Sequence, residues 1–105
     1  MRTGGYPTEQ ELEMISNWDI RTTDDMVAFA EFVIEIWWMQ YGLRWTKRRV
    51  KAKYGNDYYL LRLSTGGWSG NEDIIEAMRH NIWWGLCFYS HLRGGHYEFH
   101  IPIMK

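Results

Sequence analysis

Residues 96–103, HYEFHIPI, decide the fold class, because apolar and polar side chains alternate along most of the stretch. The apolar set is Tyr97, Phe99, Ile101 and Ile103, and the polar set is His96, Glu98 and His100. Period-two alternation is typical of a strand with one face in the core and the other in solvent. Residues 58–64 alternate in a similar way, and the turn residues 55–57 separate them from a basic segment, 44–54. A hairpin is therefore predicted.

Helix-capping patterns precede this hairpin. Thr8 followed by Glu11 predicts a capping box at the start of a short helix over 9–17. One of the two threonines at 22–23 is predicted to cap a longer helix over about 24–41, whose first turn is acidic. Both helices carry an apolar stripe and are expected to pack on the sheet.

A third helix and a further strand are predicted after the hairpin. Ser69 with Glu72 fits a second capping box, and the helix it starts is expected to run to about His80. Asn81 then suits the left-handed C-cap position. The apolar run 82–92 is predicted as a buried strand that a glycine turn connects to the last strand.

These elements predict an α+β domain of order ααββαββ, with helices on one face of a four-stranded antiparallel sheet. The 105 residues fit one domain, 1–105, with 1–7 as a flexible lead. The basic segment is expected to form an edge strand whose charges oppose pairing with other chains. The predicted core comprises Phe29, Val33, Trp37, Leu61, Leu63, Ile75, Trp84, Leu86, Phe88, Tyr97, Phe99 and Ile101.

The composition narrows the function classes. Seven Trp, seven Tyr and four Phe are a large aromatic load, which suits either a small core or a recognition surface. The single cysteine, Cys87, excludes an internal disulfide framework and lies in an apolar context where a thiol is inert. No apolar run approaches the roughly 20 residues of a membrane span, and no signal-peptide pattern opens the chain. We expect a cytoplasmic protein without membrane association or a cofactor.

Charge is strongly segregated along the chain, although the net charge is only −1. Residues 1–43 hold eight acidic residues against two basic ones, whereas residues 44–62 hold seven basic residues against one acidic residue. Either the two segments neutralise each other within the fold, or the basic segment binds a partner. The predicted partner-binding residues are Trp45, Lys47, Arg48, Arg49, Lys51 and Lys53. A nucleic acid, an acidic host protein and the acidic half of a second copy in a homodimer are all suitable partners.

The segment STGGWSGNEDIIEAMRHNIWWGLCFYSHLRGGHYEF (64–99) resembles a family of small proteins encoded by bacteriophages and prophages. Its marks are the STGGWSGNE loop, a short helix, a Trp- and Cys-containing strand and the RGGHYEF hairpin, while EFVIEIWW (31–38) resembles the preceding helix more loosely. The resemblance implies a phage origin and action in the cytoplasm of the bacterial host. Small accessory phage proteins commonly inhibit or redirect host factors, so an anti-defence role is implied.

A candidate ligand site combines the loop at 64–72 with the hairpin at 93–98. If the strand starting at His96 pairs antiparallel with 58–64, loop and hairpin lie side by side. The predicted ligand-binding residues are Trp68, Ser69, Asn71, Arg93 and His96, a set suited to a phosphate-bearing or carboxylate ligand. The alternative is that they only brace the loop against the hairpin, with Trp68 as a plug for the core.

The leading hypothesis is a non-enzymatic phage protein that inhibits a host immune protein or sequesters a nucleotide-like ligand. One alternative is a metal-dependent hydrolase or nuclease that uses His96, Glu98 and His100, which share one face of the last strand. A second alternative is an accessory protein that binds nucleic acid through the basic segment.

Overall fold

The computed structural model describes residues 6–38 and 42–104. The described elements are α1 (Glu9–Asn17), α2 (Thr23–Ile36), β1 (Leu43–Val50), β2 (Tyr58–Ser64), α3 (Ser69–Arg79), α4 (Ile82–Cys87), β3 (Phe88–Leu92) and β4 (His96–Pro102). The strands form one antiparallel sheet in the order β1-β2-β4-β3, and the helices pack against it. The predicted α+β class and the order ααββαββ are confirmed, with the third helical position divided between α3 and α4.

The predicted capping box of α1 and the predicted threonine cap of α2 are both present. Thr8 Oγ1 accepts from Glu11 N at 3.1 Å, and Glu11 Oε1 accepts from Thr8 N at 2.8 Å. Thr22 and Asp25 make the same reciprocal pair at the start of α2. These bonds satisfy backbone donors that have no partner within the helix.

α2 ends at Ile36, earlier than the predicted end near residue 41, which lies outside the described residues. Trp37 has extended backbone angles, and its N–H closes the helix on Ile34 O at 3.2 Å. The backbone of the next residue, Trp38, bonds a side chain of α3 and not the preceding turn. Tertiary bonding therefore ends α2 before the apolar pattern in the sequence does.

The two central strands pair antiparallel, as the site hypothesis required. β2 pairs antiparallel with β4 from Tyr58 opposite Pro102 to Ser64 opposite His96. On the side that faces the helices, Tyr59 is partly buried, and five residues are fully or nearly fully buried: Leu61, Leu63, Tyr97, Phe99 and Ile101. β1 lies at one edge of the sheet, as predicted from its charges.

Residues 82–87 form the helix α4, so the prediction of a strand over the whole of 82–92 was wrong for its first half. Helical spacing buries Trp83 and Cys87, which are four residues apart. Of the predicted core residues, Leu86 is therefore 45% exposed, Phe88 is 40% exposed and Trp84 is only partly buried. A run that is apolar throughout carries no period, so it fits a buried helix as well as a buried strand.

Two predicted caps differ from the structure. Asn81 is the N-cap of α4 with extended backbone angles, and not the left-handed C-cap of α3. Its Oδ1 accepts from Trp83 N at 2.8 Å, while its Nδ2 donates to Ile15 O and Trp18 O, each at 2.9 Å. The N-cap of α3 is Trp68, which makes no side-chain capping bond, so Ser69 does not form the predicted capping box.

No helix in the described parts of the chain is long and apolar enough to cross a membrane.

Candidate binding face of the sheet

The sheet has one face away from the helices, which we call the open face. It is defined by the alternate residues of the central strands, Tyr58, Leu60, Arg62 and Ser64 of β2 and His96, Glu98 and His100 of β4. All seven are exposed or partly exposed, whereas most of the residues that alternate with them are buried. An antiparallel sheet with one solvated face offers a wide, pre-formed surface for a ligand.

Three aromatic rings are stacked across the open face. The Tyr58 and His100 ring centroids are 3.9 Å apart with an interplanar angle of 5°. Tyr89 lies on the other side of His100, with centroids 3.8 Å apart and an angle of 15°. The stack spans β2, β4 and β3, and Tyr89 is 62% exposed at the sheet edge.

A β-bulge gives Tyr89 its position. The register of β3 on β4 shifts between Phe88, which pairs with Phe99, and Ser90, which pairs with Glu98. Tyr89 is the inserted residue, and its ring reaches His100 on the open face. A bulge re-aims a side chain in this way without changing the rest of the ladder.

Glu98 fixes the central ring of the stack. Its Oε2 accepts from His100 Nε2 at 2.6 Å, and its Oε1 accepts from Arg62 Nε at 3.0 Å. Partial burial opposes ionisation of this carboxyl, but the bonds from His100 and Arg62 outweigh it and lower the pKa of Glu98 below its usual value. The carboxylate therefore stays charged and holds both partners.

Two clefts lie on the open face. The first, the lysine cleft, encloses about 360 Å³ beside the stack, and its lining includes Lys51, Lys53, Tyr54, Tyr58, Tyr89 and His100. The second, the serine cleft, encloses about 290 Å³ at the start of β4, and its lining includes Arg62, Ser64, Ser90, Leu92, His96 and Glu98. In the serine cleft Ser64 Oγ and His96 Nδ1 are hydrogen-bonded at 2.7 Å.

Positive charge is concentrated at the β1 side of this face. Arg44 lies directly opposite Arg62 on the neighbouring strand, and Glu98 is the carboxylate bonded to Arg62. Like charges placed directly opposite destabilise a sheet unless an anion compensates them. Among the described residues, Arg44, Lys51 and Lys53 make no ion pair.

The predicted partner-binding residues divide into two groups. Trp45 packs against the core, Lys47 Nζ bonds Glu31 Oε2 of α2 at 3.1 Å, and Arg49 Nη1 lies 3.7 Å from Asp57 Oδ2. Arg48, Lys51 and Lys53 are exposed. Within the described residues the Lys47–Glu31 pair is the one ion pair between the basic segment and the acidic helices, so contact within the fold leaves most of the segregated charge uncompensated.

Loop and hairpin lie side by side as predicted, because Thr65 N donates to Gly95 O at 3.0 Å. The loop side chains, however, are engaged on the helical side. The Trp68 ring lies between Tyr6 and Trp38, with centroids 4.8 and 4.9 Å away. Ser69 Oγ bonds Tyr6 Oη at 3.1 Å.

Asn71 is fully buried, and its amide is used by backbone groups. Oδ1 accepts from Trp38 N at 3.1 Å, and Nδ2 donates to Trp38 O at 3.0 Å and to Thr65 O at 3.3 Å. Arg93 is exposed, and no described contact joins it to Trp68 or Asn71. Of the five predicted ligand-binding residues, the structure places His96 on the open face and gives Trp68 and Asn71 structural contacts.

The candidate metal ligands on β4 do not converge. Glu98 bonds His100, whereas His96 is turned to Ser64. Within 6–38 and 42–104, no group of three or more His, Cys, Asp or Glu side chains is placed to hold a metal ion. Cys87 is buried against Met26 Sδ at 3.8 Å, and burial raises the pKa of its thiol far above the usual range.

Sequence reasoning missed the two tyrosines that flank His100. The alternation of residues 58–64 already placed Tyr58 opposite the core face, so the first could have been found. Tyr89 could not, because its position depends on the bulge, which leaves no pattern in the sequence.

Comparisons with protein-family models, curated proteins and solved structures found no match. The resemblance to small phage proteins stays a prediction.

Proposed function

We propose that this protein is a non-enzymatic binding protein whose open face takes a phosphate-bearing ligand with a nucleobase ring. The observation that carries the proposal is the Tyr58–His100–Tyr89 stack in the wall of the lysine cleft. The cleft combines aromatic rings, which suit a planar ring, with lysine side chains, which suit an anion.

The aromatic side chains supply the contact for the ring. Tyr54 is 85% exposed and Tyr89 is 62% exposed, and both line the lysine cleft. Stacking of a base on an exposed aromatic ring contributes about 1–3 kcal/mol and tolerates any base. Because Glu98 and Tyr58 already hold His100, little side-chain freedom is lost on binding.

The lysines supply the contact for the phosphate. Lys51 and Lys53 line the same cleft and are exposed, and the structure describes no carboxylate bonded to either. Lys53 Nζ lies 5.8 Å from the centroid of the Tyr54 ring, a contact that leaves its charge uncompensated. An ammonium group without a carboxylate partner binds a phosphate oxygen without first breaking an ion pair.

The other polar side chains of the open face also favour binding over catalysis. Ser64 and His96 are bonded, but the nearby carboxylate of Glu98 is committed to His100 and Arg62. His96 therefore lacks the orienting acid that activates a serine nucleophile in a triad.

The test is the affinity for adenosine monophosphate and for a labelled oligonucleotide, measured by calorimetry and fluorescence anisotropy. The double variant Lys51→Gln/Lys53→Gln and the variant Tyr89→Ala should each lower affinity at least tenfold. The matched control, Arg21→Gln/Lys47→Gln, removes the same charge at residues bonded to Asp19 and Glu31, and should change affinity less than twofold. Equal losses in control and cleft variants, or no binding of either ligand, would overturn the proposal.

The phage resemblance supplies a biological setting for this proposal. Sequestering a nucleotide-type ligand would remove it from a host defence protein, which is the anti-defence role expected from the sequence. Expression of the wild-type protein and of Lys51→Gln/Lys53→Gln in phage-challenged bacteria tests this setting, because only the wild type should protect the phage.

A further inference from the structure

We infer, on the basis of the proposed function, that the ligand is a single strand of nucleic acid that runs along β4 through both clefts. The lysine cleft lies beside His100, and the serine cleft lies beside His96 on the same face. A mononucleotide would occupy one cleft and leave the other without a use.

The separation of the clefts sets the length of the strand. His96 and His100 are four residues apart on one strand, which corresponds to about 13 Å. Stacked nucleotides advance about 3.4 Å each along one strand. The path between the clefts therefore holds about four stacked nucleotides, or fewer in an extended strand.

Positive charge, which would attract a bridging phosphate, lies midway between the two clefts along β4. Glu98 lies midway between His96 and His100, and Arg62 is directly opposite it on β2. Arg44 is opposite Arg62 on β1 and is exposed. Two arginines with one carboxylate between the clefts leave a net positive charge where the sugar–phosphate backbone would pass.

The serine cleft suits a second base. Leu92 forms an apolar wall and is 66% exposed, while Ser64, Ser90 and His96 present hydroxyl and imidazole groups. Such groups hydrogen-bond the Watson–Crick edge of a base, which is accessible only when the base is unpaired. Open sheet faces with aromatic residues bind single strands in this manner.

The test compares one, two, four and eight nucleotides of oligothymidylate with a duplex of the longest strand, by anisotropy or calorimetry at fixed salt. Affinity should rise at least 100-fold from one to four nucleotides and then change little. The tetranucleotide has three bridging phosphates, and contacts to all three predict a slope of log affinity against log salt of about −2.

Variants at the middle of the path separate this inference from the proposed function. Arg44→Gln removes an exposed side chain, so the fold should persist, and it should weaken the tetranucleotide several-fold while leaving the mononucleotide unchanged. Leu92→Ser should do the same through the serine cleft, and Arg21→Gln is the control.

The outcomes are distinct. Equal affinity for mononucleotide and tetranucleotide, or tighter binding of the duplex, would overturn the single-strand inference and leave the proposed function standing. Absence of binding at every length would overturn both. Affinity could instead rise with length while Arg44→Gln and Leu92→Ser weaken binding no more than the control does. That result would place the strand on another face and overturn the inference.

Discussion

Asn71 bonds both backbone polar groups of Trp38, with Oδ1 accepting from the N–H at 3.1 Å and Nδ2 donating to the carbonyl at 3.0 Å. The Asn71 side chain thus satisfies both backbone groups of Trp38, the second residue after the end of α2, as a neighbouring strand would. A position that first suggested a ligand contact is instead a buried link between α2 and α3.

Asn71→Ala should lower the free energy of unfolding by about 2–4 kcal/mol, because it leaves the partly buried backbone groups of Trp38 and the buried carbonyl of Thr65 without their partner. Urea denaturation measures the change. Asn17→Ala, at an exposed position, should change stability by less than about 0.5 kcal/mol. A loss in Asn71→Ala no greater than in this control would contradict the structural role.

Gly70→Ala should displace the Trp68 ring, because a Cβ at Gly70 overlaps the indole. We expect a change in tryptophan emission and a loss of about 1–3 kcal/mol from overpacking. The matched control is Gly85→Ala in α4, where a Cβ meets nothing and should stabilise the helix by about 0.5–1 kcal/mol. If both variants gain stability, Trp68 is not packed over Gly70.

Glu98→Gln should reduce the amount by which the free energy of unfolding decreases as the pH becomes acidic. The pKa of Glu98 is lowered in the folded protein, so the folded state binds fewer protons than the unfolded state just below the usual value of 4.5. Its contribution is fully present above about pH 4.5 and is lost as pH falls through the folded pKa. Urea midpoints measured between neutral and acidic pH give the slope.

Asp25 contributes to the same acid dependence, because its pKa is also lowered in the folded protein. The backbone N–H of Arg21 has the largest effect, and the bonds from Thr22 help it to outweigh the opposing desolvation. In the double variant Glu98→Gln/Asp25→Asn, the free energy of unfolding should therefore depend less on pH in acid than in either single variant. Unchanged slopes in all three variants would show that neither carboxylate is held in the folded state.

Cys87 should resist thiol reagents until the protein unfolds. Its thiol is buried beside Met26, and desolvation raises its pKa, so little thiolate is present at neutral pH. Labelling should be slow in the native protein and fast in urea, with Cys87→Ser as the blank. Native labelling as fast as in urea would mean that α4 opens locally.

The fold was predictable wherever a short local pattern carried it. The capping pairs of Thr8 and Thr22 and the alternation after His96 each depend on residues close in sequence, and the structure has them in place. The run 82–87 lacked a period, and the signal that resolves it is Asn81, a good N-cap directly before the run.

The candidate site was less predictable, because its residues meet only through strand register. His96 and His100 were identified from β4 alone, but the partner that fixes His96 is Ser64, and the partners that fix His100 are Glu98, Tyr58 and Tyr89. The role of Asn71 depends on where α2 ends, which tertiary contacts determine. The residues nearby in sequence form no pattern that indicates such contacts.

The bulge at Tyr89 makes the proposed site sensitive to a kind of genetic change other than substitution. Tyr89 is the extra residue of β3, so an in-frame deletion of its codon restores a regular ladder and removes the outer ring of the stack. Phe88 and Ser90 would keep their partners on β4, and the buried side of the sheet would be retained. One codon gained or lost in this strand thus adds or removes a recognition element while the domain itself persists.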